Sequence, residues 1–337
     1  MSYYSVIGIE SSPYAIKVRA VLRYRRLPHR WIARMPQFYE PTAAVRPLIM
    51  PVVQFPDGEY RTDSTPIIYA LEDLHPDERS VIPENPACAF LNALLEDFAD
   101  EWLTKCLFNY RFSLPRDAVA GAGWVMDDAH PGLNKAQLDE KVGSFIERQT
   151  SRMGLVGCTP ENTPLLQQSY LEVLQAFERF VATDRFLFGT RPALADFAFY
   201  GQLSTLAHDP TPAQIMSLHA PRTQRWIRRL DDASGVEGAW DQRVADLPAS
   251  LVELLALCGR YYLPLLRANR TALDNGDAEL RVELGESTFA QPVYRYHAKC
   301  LDFIASRMRA LPLAQYQQIE SLLEETGCLQ HLADFRT

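Results

Sequence analysis

Three short stretches in the first 64 residues carry side chains whose order could do chemistry on a small peptide. The first is Ser12, directly before Pro13. Proline suits the first helical position and serine the N-cap, so Ser12 sits where unpaired backbone N–H groups and the positive end of the helix dipole converge. An anion placed there is stabilised. The same pair also serves simply as a helix cap. The second is Met50-Pro51, ahead of the apolar run VVQF. A cis bond there would turn the Met50 N–H and C=O outward as an edge for a peptide-like ligand, whereas trans is the common state of X–Pro bonds. The third is Asp63-Ser64, opening a helical pattern. Either residue can cap that helix. An acid beside a helix N-terminus also suits a zwitterionic amino-acid end, with Asp63 on the ammonium and Ser64 and the N–H groups on the carboxylate.

The elements that must hold these residues are legible around them. Tyr3 to Ile9 is β-branched and aromatic and predicts a strand. A turn leads into a helix from Pro13 to about Arg26, whose second half gathers Arg19, Arg23, Arg25 and Arg26 near the negative dipole end. His29 to Ala33 reads as a second strand, and a strand–helix–strand crossover implies a parallel pair. Residues 39–47 read as irregular or as a short helix. Val52 to Phe55 and Tyr60 to Thr62 flank the hairpin signal Asp57-Gly58. Ile67, Ile68, Leu71 and Leu74 then recur at helical spacing over 64–74. The order is βαβ followed by ββα.

Residues 76–86 are proline-rich and polar, as in a linker. Beyond them the chain reads as helical to about residue 240. Helices are expected over 90–108, 135–153, 161–182, 193–207 and 221–232, with 113–134 irregular because of Gly121, Gly123, Pro131 and Gly132. A further helix is expected from Leu251 to Leu266. Leu280, Val282 and Leu284 then alternate, and Gly285-Glu286 could turn that strand into Ser287–Ala290 as a hairpin. Helices resume over 293–310 and 313–326.

Composition narrows the function classes. The 337 residues are 47% hydrophobic and 23% charged, as in ordinary globular chains. A net charge of −8 provides no global basic field for nucleic acid or anionic lipid. No apolar run reaches the length of a membrane span, the first residues do not read as a secretory leader, and a cytoplasmic protein is expected. The cysteines, Cys88, Cys106, Cys158, Cys258, Cys300 and Cys328, form no CxxC pair and read as buried free thiols. That spacing disfavours a dithiol oxidoreductase. The seven histidines are scattered outside any HExxH-like spacing, so no metal is expected.

Four motifs in order carry a resemblance: SSPYAIKVRAVL (11–22), MPVV (50–53), TDSTPIIYALE (62–72) and FLFGTRPALADFAFYGQL (186–203). In these the chain resembles the cytosolic glutathione transferase superfamily, as a serine-type, bacterial-like member. The match spans about residues 3–232. It implies an α/β thioredoxin-like domain over 1–76, a linker over 77–86 and an all-α domain over 87–240. Residues 241–337 are then a mostly helical extension with a candidate β-hairpin, packed on the helical domain. The resemblance implies Ser12 as the catalytic, thiol-activating residue, with Ser11 and Tyr14 as the nearer understudies. It places Ser11, Pro13, Met50, Pro51, Asp63 and Ser64 around glutathione. Tyr14, Trp102, Phe108, Tyr110 and Arg111 become candidates beside the electrophile, although aromatic residues on such a helix are also ordinary core. Tyr3 and Tyr4 lie at the wrong end of the first strand for a tyrosine-type site. The implied activity is attack of the glutathione thiolate on a small electrophile by a homodimeric, metal-free enzyme. Isomerisation, dehalogenation or disulfide-bond reduction with glutathione, and non-catalytic glutathione binding or protein interaction, stand as alternatives on the same fold. One departure concerns folding: Ala193 stands three residues before Asp196, where the family's capping box opens with Ser or Thr. The extension is expected either to cover the cleft or to serve as a buttress or dimer contact.

Overall fold

The computed structural model describes residues 3–76, 79–181 and 185–336. Residues 77 and 78 of the expected linker, and residue 182 at the end of an expected helix, lie outside the described residues. The N-terminal part is a four-stranded sheet in the order β2-β1-β3-β4. Strand β1 (Tyr4–Gly8) runs parallel to β2 (His29–Ala33) through the crossover helix α1 (Pro13–Tyr24). It runs antiparallel to β3 (Val52–Gln54), which pairs in turn with β4 (Tyr60–Thr62). Val6 stands opposite Trp31 on one side and Val53 on the other. Every residue of β1 is buried, as suits a central strand flanked on both sides. Helix α2 (Ser64–Leu74) buries Ile67, Ile68 and Leu71 against this sheet domain.

In the helical part, α3 (Pro86–Ser113) runs for 28 residues. It is followed by α4 (Pro115–Ala129), α5 (Lys135–Thr150), α6 (Thr163–Phe180), α7 (Leu194–Leu206), α8 (Pro210–His219) and α9 (Pro221–Asp231). Helix α4 corrects the expectation of an irregular 113–134. Gly121 does not break the helix: a Cβ there would stand 2.7 Å from Cγ of Arg111, so glycine allows α4 to pack on α3. Helix α8 was not anticipated. At α7, Ala193 has no side-chain oxygen, and Asp196 carries the start of the helix alone. Its Oδ2 accepts from Ala193 N at 2.8 Å and its Oδ1 from Leu187 N at 3.0 Å. Burial pushes the Asp196 carboxyl up to about 7 despite those bonds.

The extension holds α10 (Ala249–Leu257) and α11 (Leu263–Asn275), joined by a π-helical turn over Cys258–Tyr262. The turn absorbs Pro264, which has no N–H to donate to the preceding turn. The resulting run Ala249–Asn275 is long and apolar enough to cross a membrane, with a mean hydropathy of 1.3 over its best window, and 67% of that window is buried within the protein. The expected hairpin forms from β5 (Glu279–Leu284) and β6 (Ser287–Pro292), with Leu280 and Leu284 inward. Helices α12 (Arg295–Ala310), α13 (Leu313–Glu325) and the short α14 (Leu329–Leu332) complete it. The extension shares its hydrophobic core with the helical part. It also reaches the sheet domain, where Phe303 and Arg307 of α12 pack on Tyr69 of α2. All six cysteines are buried free thiols.

Candidate functional site

Two adjoining cavities lie between the sheet domain and α3. The larger, about 730 Å³, includes Met50, Asp63 and Ser64 in its lining, with Asp97, Asp100, Glu101, Thr104, Lys105 and Phe108 of α3. The smaller, about 410 Å³, is formed around Ser11, Ser12 and Pro13 with Ile9, Leu107, Phe112, Val125 and Phe145. Tyr14, Ile49, Met50, Thr104 and Phe108 line both.

Local sequence explains each placement. Ser12 is the N-cap of α1, and its Oγ accepts from Ala15 N at 3.4 Å while Pro13 opens the helix. Cap duty uses an oxygen lone pair and leaves the hydroxyl proton free to donate into the cavity. The preceding residue is fixed from outside the sheet domain: Ser11 N donates to Asp128 Oδ2 of α4 at 3.0 Å. Met50 stands before the β3 ladder, which begins at Val52, and the Met50–Pro51 bond is cis. Asp63 holds the N-cap position of α2 at φ 72°, in the left-handed region a non-glycine residue enters at a cost of about 1–3 kcal/mol. Its Oδ2 accepts the hydroxyl of Tyr296, from α12, at 3.0 Å.

The electrostatics are dominated by buried acids. Lys17 Nζ donates to Asp100 Oδ2 at 2.6 Å and also to Glu96, which accepts the Thr65 hydroxyl. Burial pulls the Lys17 ammonium down, but the two carboxylates more than offset it and it stays charged. Burial pushes Asp97 and Asp100 each up to about 7, against the Tyr262 hydroxyl bond on Asp97 and the Lys17 charge beside Asp100. Burial, then the charges of Asp97 and Asp100, drive Glu101 well above the usual carboxylate range. Burial brings Lys105 down to about 8 and holds His297 well below its usual value, hence neutral. Burial also raises Asp63, with the Tyr296 hydroxyl as the main opposing influence.

Residues 6–79 match the family model for the glutathione S-transferase N-terminal domain, and residues 144–229 match that for the C-terminal domain. The chain belongs to the glutathione transferase superfamily. Among solved structures it is similar to the beta-etherase LigF from Sphingobium sp., at 17% identity over 68% of this chain and 95% of that one, with a TM-score of 0.50. It is also similar to a glutathione S-transferase from Methylobacterium radiotolerans in complex with glutathione sulfonate, at 19% identity over 73% and 99%, with a TM-score of 0.44. At these identities the likeness is one of fold. No curated protein matches the sequence. The matched segments stop at residue 229, so the extension lies beyond both domains of this glutathione transferase family.

The residues expected at the site divide by their position on α3. Asp97, Glu101, Thr104 and Phe108 form one stripe at about 100° per residue, and this stripe lines the larger cavity. Trp102 and Tyr110 lie roughly 130° and 150° away from it. The structure therefore corrects the expectation that both stand beside an electrophile. Trp102 is fully buried, stacked on Tyr261, and donates to Ser169 Oγ at 3.0 Å. Tyr110 packs edge-on against Tyr170. Tyr14 lines both cavities, but its hydroxyl donates to Asp100 O at 3.0 Å. Arg111 lines the smaller cavity while its guanidinium grips Asp209 at 2.7 and 3.1 Å. Pro51 is buried behind Met50. Asp97, Asp100, Glu101, Lys105, Tyr296 and His297 were missed. The segment EDFADE (96–101) carried a signal, since four acids, three of them at i, i+3 and i+4 (Asp97, Asp100 and Glu101), interrupt a mostly apolar helical run.

Proposed function

We propose that this chain binds glutathione across the two cavities and activates its thiol for attack on an apolar electrophile. The observation that carries the reading is the meeting of Ser12, Met50 and the Asp63-Ser64 pair on two cavities that share Met50. Asp63 takes the γ-glutamyl ammonium, and Ser64 with the first N–H groups of α2 takes the adjoining carboxylate. Met50 borders the cysteinyl part, and the sulfur rests at the Ser12 hydroxyl. A free thiol of pKa ~8.5 needs about 2 kcal/mol of preferential stabilisation to ionise near ~7. One hydroxyl bond to a charged acceptor supplies about 1.5–3 kcal/mol. The helix dipole adds about 0.3–1 kcal/mol, so Ser12 suffices without a metal or a general base.

The second substrate enters the smaller cavity, where Ile9, Leu107, Phe112 and Val125 offer apolar surface. No cysteine is among the residues lining either cavity, which supports addition to an electrophile over a disulfide relay through the chain's own thiol. The test is Ser12→Ala assayed with glutathione and an aryl halide. Glutathione affinity is retained, and turnover near neutral pH falls roughly five- to ten-fold as the bound thiol pKa rises by about one unit. Unchanged turnover removes Ser12 from its role. The homodimer belongs to the same reading and is checked by sedimentation equilibrium.

A further inference from the structure

The wall that α12 adds to the larger cavity meets a cluster of acidic side chains, whose ionised form a bound cation would favour. Asp97, Asp100 and Glu101 face the cavity from a single turn of α3, with Asp63 opposite. Asp100 is paired with Lys17, and Asp97 accepts the Tyr262 hydroxyl at 2.6 Å. Among the described residues the Glu101 carboxylate accepts no hydrogen bond. Its basic neighbour is His297 Nε2 at 3.8 Å, on a neutral imidazole that is 1% exposed. The other ring nitrogen of His297, Nδ1, is buried without a partner, on a residue that lines the cavity. Lys105 does not neutralise the cluster directly, because its ammonium donates to Gln291 Oε1 at 2.8 Å and to Val156 O at 3.0 Å. Tyr14, Tyr294 and Tyr296 also line the cavity, with Tyr294 and Tyr296 ring centroids 6.3 Å apart, and Lys299 of α12 stands at it as an exposed side chain.

Carboxylates combined with tyrosine rings are the chemistry that recognises an organic ammonium. The acids do not converge as a metal site would: among the described residues no group of three His, Cys, Asp or Glu side chains has that geometry. The cavity follows α3 from Asp97 to Phe108, about 16 Å at 1.5 Å per residue, which leaves room beyond a peptide held at Ser64 and Met50. We propose that the end of the larger cavity beneath α12 is a subsite for the ammonium group of a second, amine-bearing ligand, with Glu101 as its principal carboxylate. This rests on the reading of Asp63 and Ser64 as the γ-glutamyl site and adds to it a ligand class selected by the extension.

The probe is putrescine, titrated calorimetrically into the full-length protein with and without saturating glutathione, with butanediol as the uncharged control. Putrescine binds saturably in both conditions and butanediol does not. Glu101→Gln weakens putrescine by about ten-fold or more while the glutathione Kd stays within about two-fold. Asp97→Asn is the companion variant should Glu101→Gln fail to fold, and it weakens putrescine in the same direction. Absence of putrescine binding, an unchanged Kd in the variant, or displacement of putrescine by glutathione each overturns the subsite. Displacement would assign the acids to the γ-glutamyl ammonium instead. Failure of the wild-type protein to bind glutathione refutes the proposed function separately, because the putrescine titration without glutathione is read on its own.

Discussion

Tyr296→Phe isolates one bond that joins the extension to the sheet domain. The hydroxyl donates to Asp63 Oδ2 at 3.0 Å and is the largest influence favouring the ionised carboxylate against burial. A bond of this kind to a charged group is worth about 1.5–3 kcal/mol. Asp63 is only partly buried, so solvent screening keeps the effect near the lower end. About 1.5 kcal/mol is roughly one unit at 1.36 kcal/mol per unit. The sign follows from the role of Asp63. An ammonium is held by the carboxylate, so glutathione affinity is present above the Asp63 pKa and is lost as pH falls through it. That pKa is already raised by burial, and without the tyrosine hydroxyl it rises further. Calorimetric titrations with glutathione from about pH 4 to about 8 should therefore show the acid limb displaced upward by about one unit in the variant. N-acetylglutathione has no ammonium and should show no such limb in either protein. Phenylalanine keeps the ring in place, and melting temperatures should confirm that the fold is intact. Superimposable acid limbs for the two proteins would refute the assignment of Asp63 to the ammonium or the energetic weight of its bond.

Other perturbations test the scaffold. A Cβ on Gly201 would stand 2.5 Å from the Pro13 carbonyl oxygen, so Gly201→Ala should push α7 against the start of α1. An overpacking loss of about 1–3 kcal/mol in denaturant unfolding, accompanied by slower turnover from a displaced Ser12, is expected. Asp209→Ala leaves Arg111 buried and unpaired and should cost about 3–5 kcal/mol, much of it recovered in an Arg111→Met/Asp209→Leu double variant. Asp97 keeps its proton up to about pH 7 when folded and to about 3.8 when unfolded, so stability should fall as pH rises between those values. Asp97→Asn should make that decline shallower in unfolding experiments at about pH 5 and about pH 8, and identical slopes would exclude Asp97 as a contributor.

The sheet domain was legible because its signals are local. Serine before proline, an Asp-Gly turn and period-two or period-three-and-a-half hydrophobicity each act within a few residues, and β1, α1, β2 and α2 appeared where those signals place them. Helix α4 was misread for the converse reason. Gly121 and Gly123 look like breakers locally, yet Gly121 answers to Arg111, ten positions away in sequence and on another helix. Trp102 and Tyr110 were nominated by residue type, whereas facing on α3 decides, and the stripe through Asp97, Glu101, Thr104 and Phe108 could have been drawn from spacing alone.

What no local rule could supply is the partner of Asp63. Tyr296 lies 233 residues further along the chain, in a segment outside the matched family domains, and the one indication in the sequence was that this segment is too apolar to be a loose tail. The contact changes what the acid can be. A partly buried carboxylate at a helix N-terminus would drift toward its neutral form, and a hydroxyl donated from α12 opposes that drift. The same helix brings His297 to Glu101, where the imidazole is held neutral and adds no charge. One element of the extension thus supports the ionised state of one carboxylate and brings no charge to the other acid. The two ends of the cavity are set for different tasks by a helix that the family fold does not require.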